Sequence, residues 1–266
     1  TMITSNDIAT LLDPQLRDYI AGHLSDDPGR VALSLREHGA LIATQIKYLQ
    51  RARVKLPSYY AALCILPPLS FEQSSSEETA SVKRYSGDTC LDLTCGLGVD
   101  AFYLSKRFRQ VIAVERNAEL SEIARINFRL LGIQNIRVVN SPAEAFLEQL
   151  RGQTQTTPDR NSGTIDLIYI DPPYNSGAAY TQTVRLRGDG PSGSASVRRY
   201  DDAMPADAYL QFLYERLLLA RELLADTGAV YVQLDAHRAP YVRVMMDEIF
   251  GNACFQREII WRIGWL

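Results

Sequence analysis

The sequence predicts an α/β protein, a doubly wound, mostly parallel sheet with a small helical domain before it. Three observations predict it. Residues 1 to about 85 carry apolar side chains at helical spacing, while from residue 88 onward short strands alternate with amphipathic helices. Those strands are apolar almost throughout, as strands covered by helices on both faces are. The change of rhythm divides the chain into a helical domain, 1–85, and an α/β core, 86–266. With 46% hydrophobic and 22% charged residues, the composition is that of an ordinary globular protein.

In the first part, Ile8, Leu11, Leu12 and Leu16 share one helical face, as do Val31, Leu35, Ile42 and Ile46. Pro57, Pro67 and Pro68 break the pattern, and Ser74–Ser76 reads as a loop. Lys47, Arg51, Arg53 and Lys55 lie in a stretch from Ala40 to Phe71 that holds no acid. They form either a nucleic-acid-facing stripe or a solvated helix face. The core then reads as strand 89–94, helix 99–106, strand 111–115, helix 118–131 and strand 136–140. A helix over 142–150 follows, with Pro142 in its first turn, where a missing N–H costs nothing. A polar stretch, 151–164, precedes strand 165–170. Residues 176–203 hold Gly, Ser, Pro and Asp without periodicity and are expected to be a mobile active-site loop. Helix 206–224, strand 229–234, helix 241–249 and a last strand at 255–263 complete the order. In such sheets ligands bind outside the carboxyl ends of the strands, so the chemistry should follow Thr94, Glu115, Asn140, Ile170 and Leu234.

Composition narrows the function. Lysines and arginines number 28 against 31 acids, a net charge of −3, which is not the sign of a protein that coats nucleic acid without selectivity. The apolar runs are well short of the ~20 residues needed to cross a bilayer. No leader opens the chain, which places the protein in the cytoplasm, although a start at Thr1 rather than methionine implies that the true beginning is missing. Cys64, Cys90, Cys95 and Cys254 make no C-x-x-C pair and only three histidines occur, so neither a metal site nor a disulfide framework is expected.

Asp92-Leu-Thr94-Cys-Gly96-Leu-Gly98 closes the first core strand and turns into a helix. Two glycines permit a tight turn and a close approach of ligand to backbone. Glu115 ends the next strand 17 residues after Gly98, where a carboxylate can accept both hydroxyls of a ribose. Gly96-x-Gly98-x-x-Ala101 also fits a dinucleotide fingerprint, and hence a dehydrogenase. Asp100 counts against that reading, because a carboxylate at the helix start would oppose a pyrophosphate. The order Asp92, Gly96, Gly98, Glu115 resembles motifs I and II of the class I methyltransferases, whose fold is Rossmann-like. That resemblance implies S-adenosylmethionine as cofactor, held by Asp92, Thr94, Gly96, Gly98, Glu115 and Asp171.

The segment Asp171-Pro172-Pro173-Tyr174-Asn175 follows the strand 165–170. It resembles motif IV of the amino-methyltransferases, which act on N6 of adenine or N4 of cytosine. The resemblance assigns Asp171, Pro172, Pro173 and Tyr174 as the catalytic residues. Their chemistry suits the task. A nucleobase amine is a poor nucleophile because its lone pair is delocalised into the ring. Accepting both of its N–H groups, one at the Asp171 carboxylate and one at the Pro172 carbonyl, frees that pair. Proline fixes φ and holds the carbonyls in place, and Tyr174 offers a ring on which an extruded base can stack. Methylation at C5 of cytosine would need a cysteine nucleophile, usually after a proline, and no cysteine here follows one.

Residues 165–266 resemble bacterial site-specific DNA methyltransferases of the type III modification-subunit kind, through Tyr214–Ala225, Val230-Tyr-Val-Gln-Leu-Asp235, Tyr241–Phe250 and Glu258–Ile263. Residues 40–150 resemble bacterial methyltransferases with a THUMP-like domain, through Lys55-Leu-Pro-Ser-Tyr-Tyr60, Leu69–Ser74 and Leu91–Asp100. Type III subunits place the Asp-Pro-Pro-Tyr motif before the glycine motif, and here the order is reversed. Either this is a core in which the glycine motif comes first, or two pieces join near 151–164. Pro142 stands near the place where many relatives carry an acid, which Glu144 would replace. The expectation is a DNA amino-methyltransferase of a restriction–modification system, C-terminally incomplete, with DNA as partner, no membrane, and a missing recognition region or partner subunit. RNA or a protein amide as substrate, and a non-catalytic cofactor-binding fragment, stand as alternatives. Arg185, Arg187, Arg198 and Arg199 make 176–203 basic, either for DNA or for solvent. His237 reads as a loop histidine, and Trp261 and Trp265 as core residues.

Overall fold

The computed structural model describes residues 3–154, 165–172, 179–185, 194–201 and 206–261. Seven helices come first: α1 (Ser5–Leu12), α2 (Pro14–Gly22), α3 (Pro28–Ser34), α4 (Gly39–Lys55), α5 (Pro57–Ala61), α6 (Pro68–Gln73) and α7 (Glu77–Ser81). Of the prolines expected to break the apolar pattern, Pro57 and Pro68 start helices and Pro67 precedes one; Pro14 and Pro28 likewise stand in a first turn, where a fixed φ helps and no N–H is missed. Thr4, Asp13, Asp27 and Ser76 cap helix starts by accepting backbone N–H groups.

The core follows as β1 (Gly87–Asp92), α8 (Val99–Ser105), β2 (Phe108–Glu115), α9 (Ala118–Leu130), β3 (Ile136–Asn140), α10 (Ala143–Thr154) and β4 (Ile165–Ile170). After it come β5 (Ala179–Arg185), β6 (Ser194–Asp201), α11 (Ala206–Leu223), β7 (Leu224–Val232) and α12 (Ala239–Phe250). The main sheet has the order β3-β2-β1-β4-β7. Its β1–β2, β1–β4 and β2–β3 pairs are parallel, with Asp92 opposite Ala113 on one side and Tyr169 on the other. The chain thus reverses its direction of winding between β1 and β4, and a ligand crevice is expected outside their carboxyl ends.

Two compact units are present: 1–170 with 223–231 and 259–266, and 171–222 with 232–258. Within the first, one buried cluster runs from Ile3, Leu11, Ile46 and Tyr59 of the helices to Val111, Ala113, Leu167 and Tyr169 of the strands. Two amides fasten the chain between these layers. The Gln45 side chain donates to the Cys64 carbonyl (2.7 Å) and accepts from Leu66 N–H (3.2 Å). Asn127 of α9 accepts from Ile65 N–H (2.8 Å) and donates to the Ile65 carbonyl (2.9 Å). Residues 64–66 therefore obtain from side chains the hydrogen bonds that a neighbouring strand would give.

Three expectations are corrected. Residues 176–203 are not an unstructured loop throughout, because β5 and β6 pair as an antiparallel hairpin from Ala179↔Asp201 to Arg185↔Ser194. Its turn, 186–193, lies outside the described residues. The last strand at 255–263 is not formed over 255–261, which leave a short 3-10 turn (Asn252–Cys254) without regular structure. An apolar run is no strand without a partner for its backbone, and here Ile260 is 82% and Trp261 41% exposed, so Trp261 is not a core residue. Trp265 and residues 262 and 263 lie outside the described residues. Finally, α10 runs through Thr154 into the polar stretch, and β7 begins five residues before the expected strand 229–234, directly after α11. Residues 155–164, where a join was expected, lie outside the described residues. Among the described residues no helix is long and apolar enough to cross a membrane.

Candidate active site

The first unit builds the glycine turn from its backbone. β1 ends at fully buried Asp92, whose carboxylate accepts Thr94 N–H (2.9 Å) and starts the turn. Leu93 N–H donates to the Tyr169 carbonyl (3.0 Å) and Cys95 N–H to the Val114 carbonyl (3.0 Å), so both flanking strands hold it. Gly98 N–H then donates to the Cys95 carbonyl (2.8 Å), and α8 begins.

Both glycines have positive φ, +53° at Gly96 and +87° at Gly98, a conformation that L side chains adopt at a cost. Their surroundings differ. A Cβ on Gly98 would meet the ring of Phe128, with Cε1 at 2.8 Å, so this glycine is demanded by packing against α9. Among the described residues, a Cβ on Gly96 would meet only the Thr94 carbonyl oxygen, at an ordinary contact distance of 3.8 Å. The two glycines are thus required for different local reasons.

Glu115, at the end of β2, reaches back to the turn. Its Oε2 accepts Gly96 N–H (2.9 Å) and its Oε1 accepts Asn117 N–H (2.8 Å). A carboxylate has about four acceptor positions, so these two bonds orient Glu115 and still leave it able to accept hydroxyls. The structure thus gathers Asp92, Thr94, Gly96, Gly98 and Glu115 around one turn.

Asp100 needs a different account from the one the sequence suggested. It is buried in the first turn of α8, paired with Lys83 and accepting Ser75 Oγ–H (2.9 Å). Lys83, only 2% exposed, also donates to the Tyr169 hydroxyl (2.9 Å) and lies 4.4 Å from that ring's centroid. A neutralised carboxylate does not repel a pyrophosphate as a bare one would, so Asp100 no longer discriminates against a dinucleotide. No local spacing signals this pair, since its partners stand 17 residues apart across a loop and a strand.

The second unit begins where β4 ends. Asp171 is half-buried and its Oδ2 accepts from Gln233 Nε2 (3.0 Å), one residue past β7. Pro172 is buried, whereas Pro173 and Tyr174 lie outside the described residues. The sequence placed Gln233 within the resembling segment Val230-Tyr-Val-Gln-Leu-Asp235 but gave it no role. Asp235 accepts Arg238 N–H (2.9 Å) and faces His237 Nδ1 at 3.4 Å, with His237 itself almost wholly exposed, as a loop histidine is.

The three buried cysteines are poor nucleophiles. Burial pushes the Cys64 thiol up to about 12 and drives Cys90 and Cys95 up as well, with Asp92 acting in the same direction on both. The basic residues of α4 are partly committed to packing. Arg51 forms a two-pronged pair with Glu72, and Lys55 donates to the Glu72 carbonyl (3.2 Å) above the Phe71 ring, where burial lowers its pKa.

Comparison with known proteins divides the chain in a similar way. Residues 165–263 match a family model described as DNA methylase, and residues 77–188 match one described as Conserved hypothetical protein 95. The second match runs through 151–164. Among curated proteins, the chain is 34% identical over 110 residues to the Mod subunit of the type III restriction-modification enzyme StyLTI of Salmonella typhimurium, covering 37% of this chain and 17% of that one. It is 36% identical over 89 residues to the type II methyltransferase M.EcaI of Enterobacter cloacae, covering 34% and 17%. The chain therefore spans about a sixth of the length of these relatives (17% of each). Among solved structures, a Porphyromonas gingivalis protein assigned as a methyltransferase is 28% identical with a TM-score of 0.51, covering 65% of this chain and 42% of that one. A parallel sheet flanked by helices, wound in this order, is the Rossmann-like fold that the motifs implied.

Proposed function

We propose that the protein is an S-adenosylmethionine-dependent methyltransferase that methylates an exocyclic nucleobase amine, N6 of adenine or N4 of cytosine, in DNA. One observation carries the reading: neighbouring parallel strands, β1 and β4, run directly into the glycine turn and into Asp171-Pro172. The DNA methylase match over 165–263 and the modification-subunit relatives support DNA as the polymer.

The residues at the turn fit the cofactor. Gly96 admits a ligand against the backbone, and oriented Glu115 accepts ribose hydroxyls. Acceptors dominate this donor set, which suits a ligand bearing ammonium, sulfonium and hydroxyl groups. When bound, S-adenosylmethionine supplies a methyl group already activated by its sulfonium. The protein then has to align and to manage protons. Asp171 accepts one N–H of the amine and the Pro172 carbonyl the other, which localises the nitrogen lone pair. With the cofactor bound, the proton that the amine gives up on methylation would pass to the Asp171 carboxylate. Cysteine chemistry at a pyrimidine ring carbon has little support, since Cys64, Cys90 and Cys95 are buried with raised pKa values.

The test is methyl-labelled S-adenosylmethionine with separate pools of DNA, RNA and protein. Label recovered from DNA as N6-methyladenine or N4-methylcytosine is expected. Label in RNA or protein alone would move the substrate, and none in any pool would remove the enzyme reading. Asp171→Ala should lower transfer roughly 10²–10⁴-fold while calorimetry finds cofactor binding largely intact, because the main role of Asp171 is at the amine.

A further inference from the structure

The Asp171–Gln233 hydrogen bond belongs to no motif considered so far. Asp171 has just left β4 and Gln233 has just left β7, and these strands are adjacent in the main sheet. The contact is 3.0 Å from Gln233 Nε2 to Asp171 Oδ2 and is partly buried. An ionised carboxylate only accepts, so the amide must present its nitrogen. A neutral donor at that distance does two things. It favours the ionised over the protonated carboxylate, and it fixes the rotation of the carboxylate about its terminal torsion, which is otherwise broad.

The adjoining charged groups are otherwise engaged. Asp235, two residues along, accepts Arg238 N–H and faces His237 within its own turn. Arg238 lies over the Tyr209 ring at 5.6 Å, and Arg243 of α12 pairs with Asp247 (3.1 Å). Gln233 is thus a neutral polar side chain among charges that are satisfied within short range. A lysine in its place would also hold the carboxylate, but would bring a positive charge to a site that must accept a proton from the amine.

We infer that Gln233 is a positioning residue for Asp171, holding one carboxylate oxygen and keeping the group ionised so that it receives the acceptor amine. The inference rests on the methyltransferase reading above for its function, but the geometric part can be tested without turnover. Carbon-13 NMR can follow the aspartate carboxylates of the full chain through a pH titration, with Asp171 assigned by its loss in Asp171→Asn. In Gln233→Met, which removes the donor at similar length, the Asp171 midpoint should rise. In Gln233→Glu, two carboxylates within about 3 Å must share a proton, so the rise should be larger. A midpoint unmoved in both variants would overturn the inference, whichever substrate the protein takes.

Kinetics on the polymer that accepts label give the second readout. Gln233→Met should lower kcat about 10–100-fold, the worth of a hydrogen bond to a charged group, with KM for the cofactor little changed. Gln233→Glu should shift the acid limb of the kcat profile to higher pH, which loss of packing alone would not do. If Asp171→Ala is dead and Gln233→Glu keeps the wild-type acid limb, this inference fails and the methyltransferase reading stands. If Asp171→Ala retains near wild-type transfer, the reading itself fails.

Discussion

The glycine turn and the Asp171 segment are held by different means. Around the turn almost every anchor is backbone or buried packing: β2 and β4 take the N–H groups of Cys95 and Leu93, Phe128 fills the space below Gly98, and Lys83 neutralises Asp100. At Asp171 the contact seen among the described residues is with a side chain, the amide of Gln233. The turn is therefore inseparable from the fold, while the carboxylate can be retuned by one substitution that leaves the sheet alone. Such a division suits an enzyme whose donor is fixed and whose acceptor varies.

Substitutions on the turn side can break this contrast, and the largest effect is expected at Lys83. Lys83→Met leaves the buried Asp100 carboxylate without its cation and should cost about 3–5 kcal/mol of stability, read as the midpoint of urea unfolding. If the variant unfolds like the wild type, the pair is not structural and the turn is less tied to the fold than argued. Gly98→Ala should follow at about 2–4 kcal/mol, combining a disfavoured φ with a clash against Phe128. Gly96→Ala sharpens the comparison most with the smallest effect on stability, about 1 kcal/mol for the positive φ alone. The new methyl group would stand where the cofactor is proposed to approach, so calorimetry should register weaker cofactor binding. Equal destabilisation by the two alanines would show that the glycines serve one purpose.

The same contrast governs what could be read from the sequence. In the first unit, β3 and β4 were legible to the residue, and α8 and α9 nearly so; burial imposes an apolar run on Leu167–Ile170 and a helical stripe on Ala118–Leu130. The glycine turn and Glu115 were legible as well, since tight turns restrict residue type. What escaped is pairing at a distance. Lys83 drew no reading from the sequence, yet it pairs with Asp100, and no spacing foretold that Phe128 packs below Gly98. After β4 the pattern misled in both directions. The segment Phe255–Trp261 is apolar enough for a strand yet stands exposed, and β5 and β6 form a hairpin although their polar residues and Gly-rich turn suggested none. Strands that pair with each other and not with a core leave little hydrophobic trace.

Asn127 has a consequence beyond packing. By matching both backbone groups of Ile65, it lets the segment between two helical layers behave as though it had a strand beside it, and it does so from a helix that covers the sheet. Heated slowly, the α1–α7 layer then has no seam along which to come away first. A calorimeter should record its melting and that of the β1–β4 sheet as one shared endotherm, and a protease should find no early nick near residue 65.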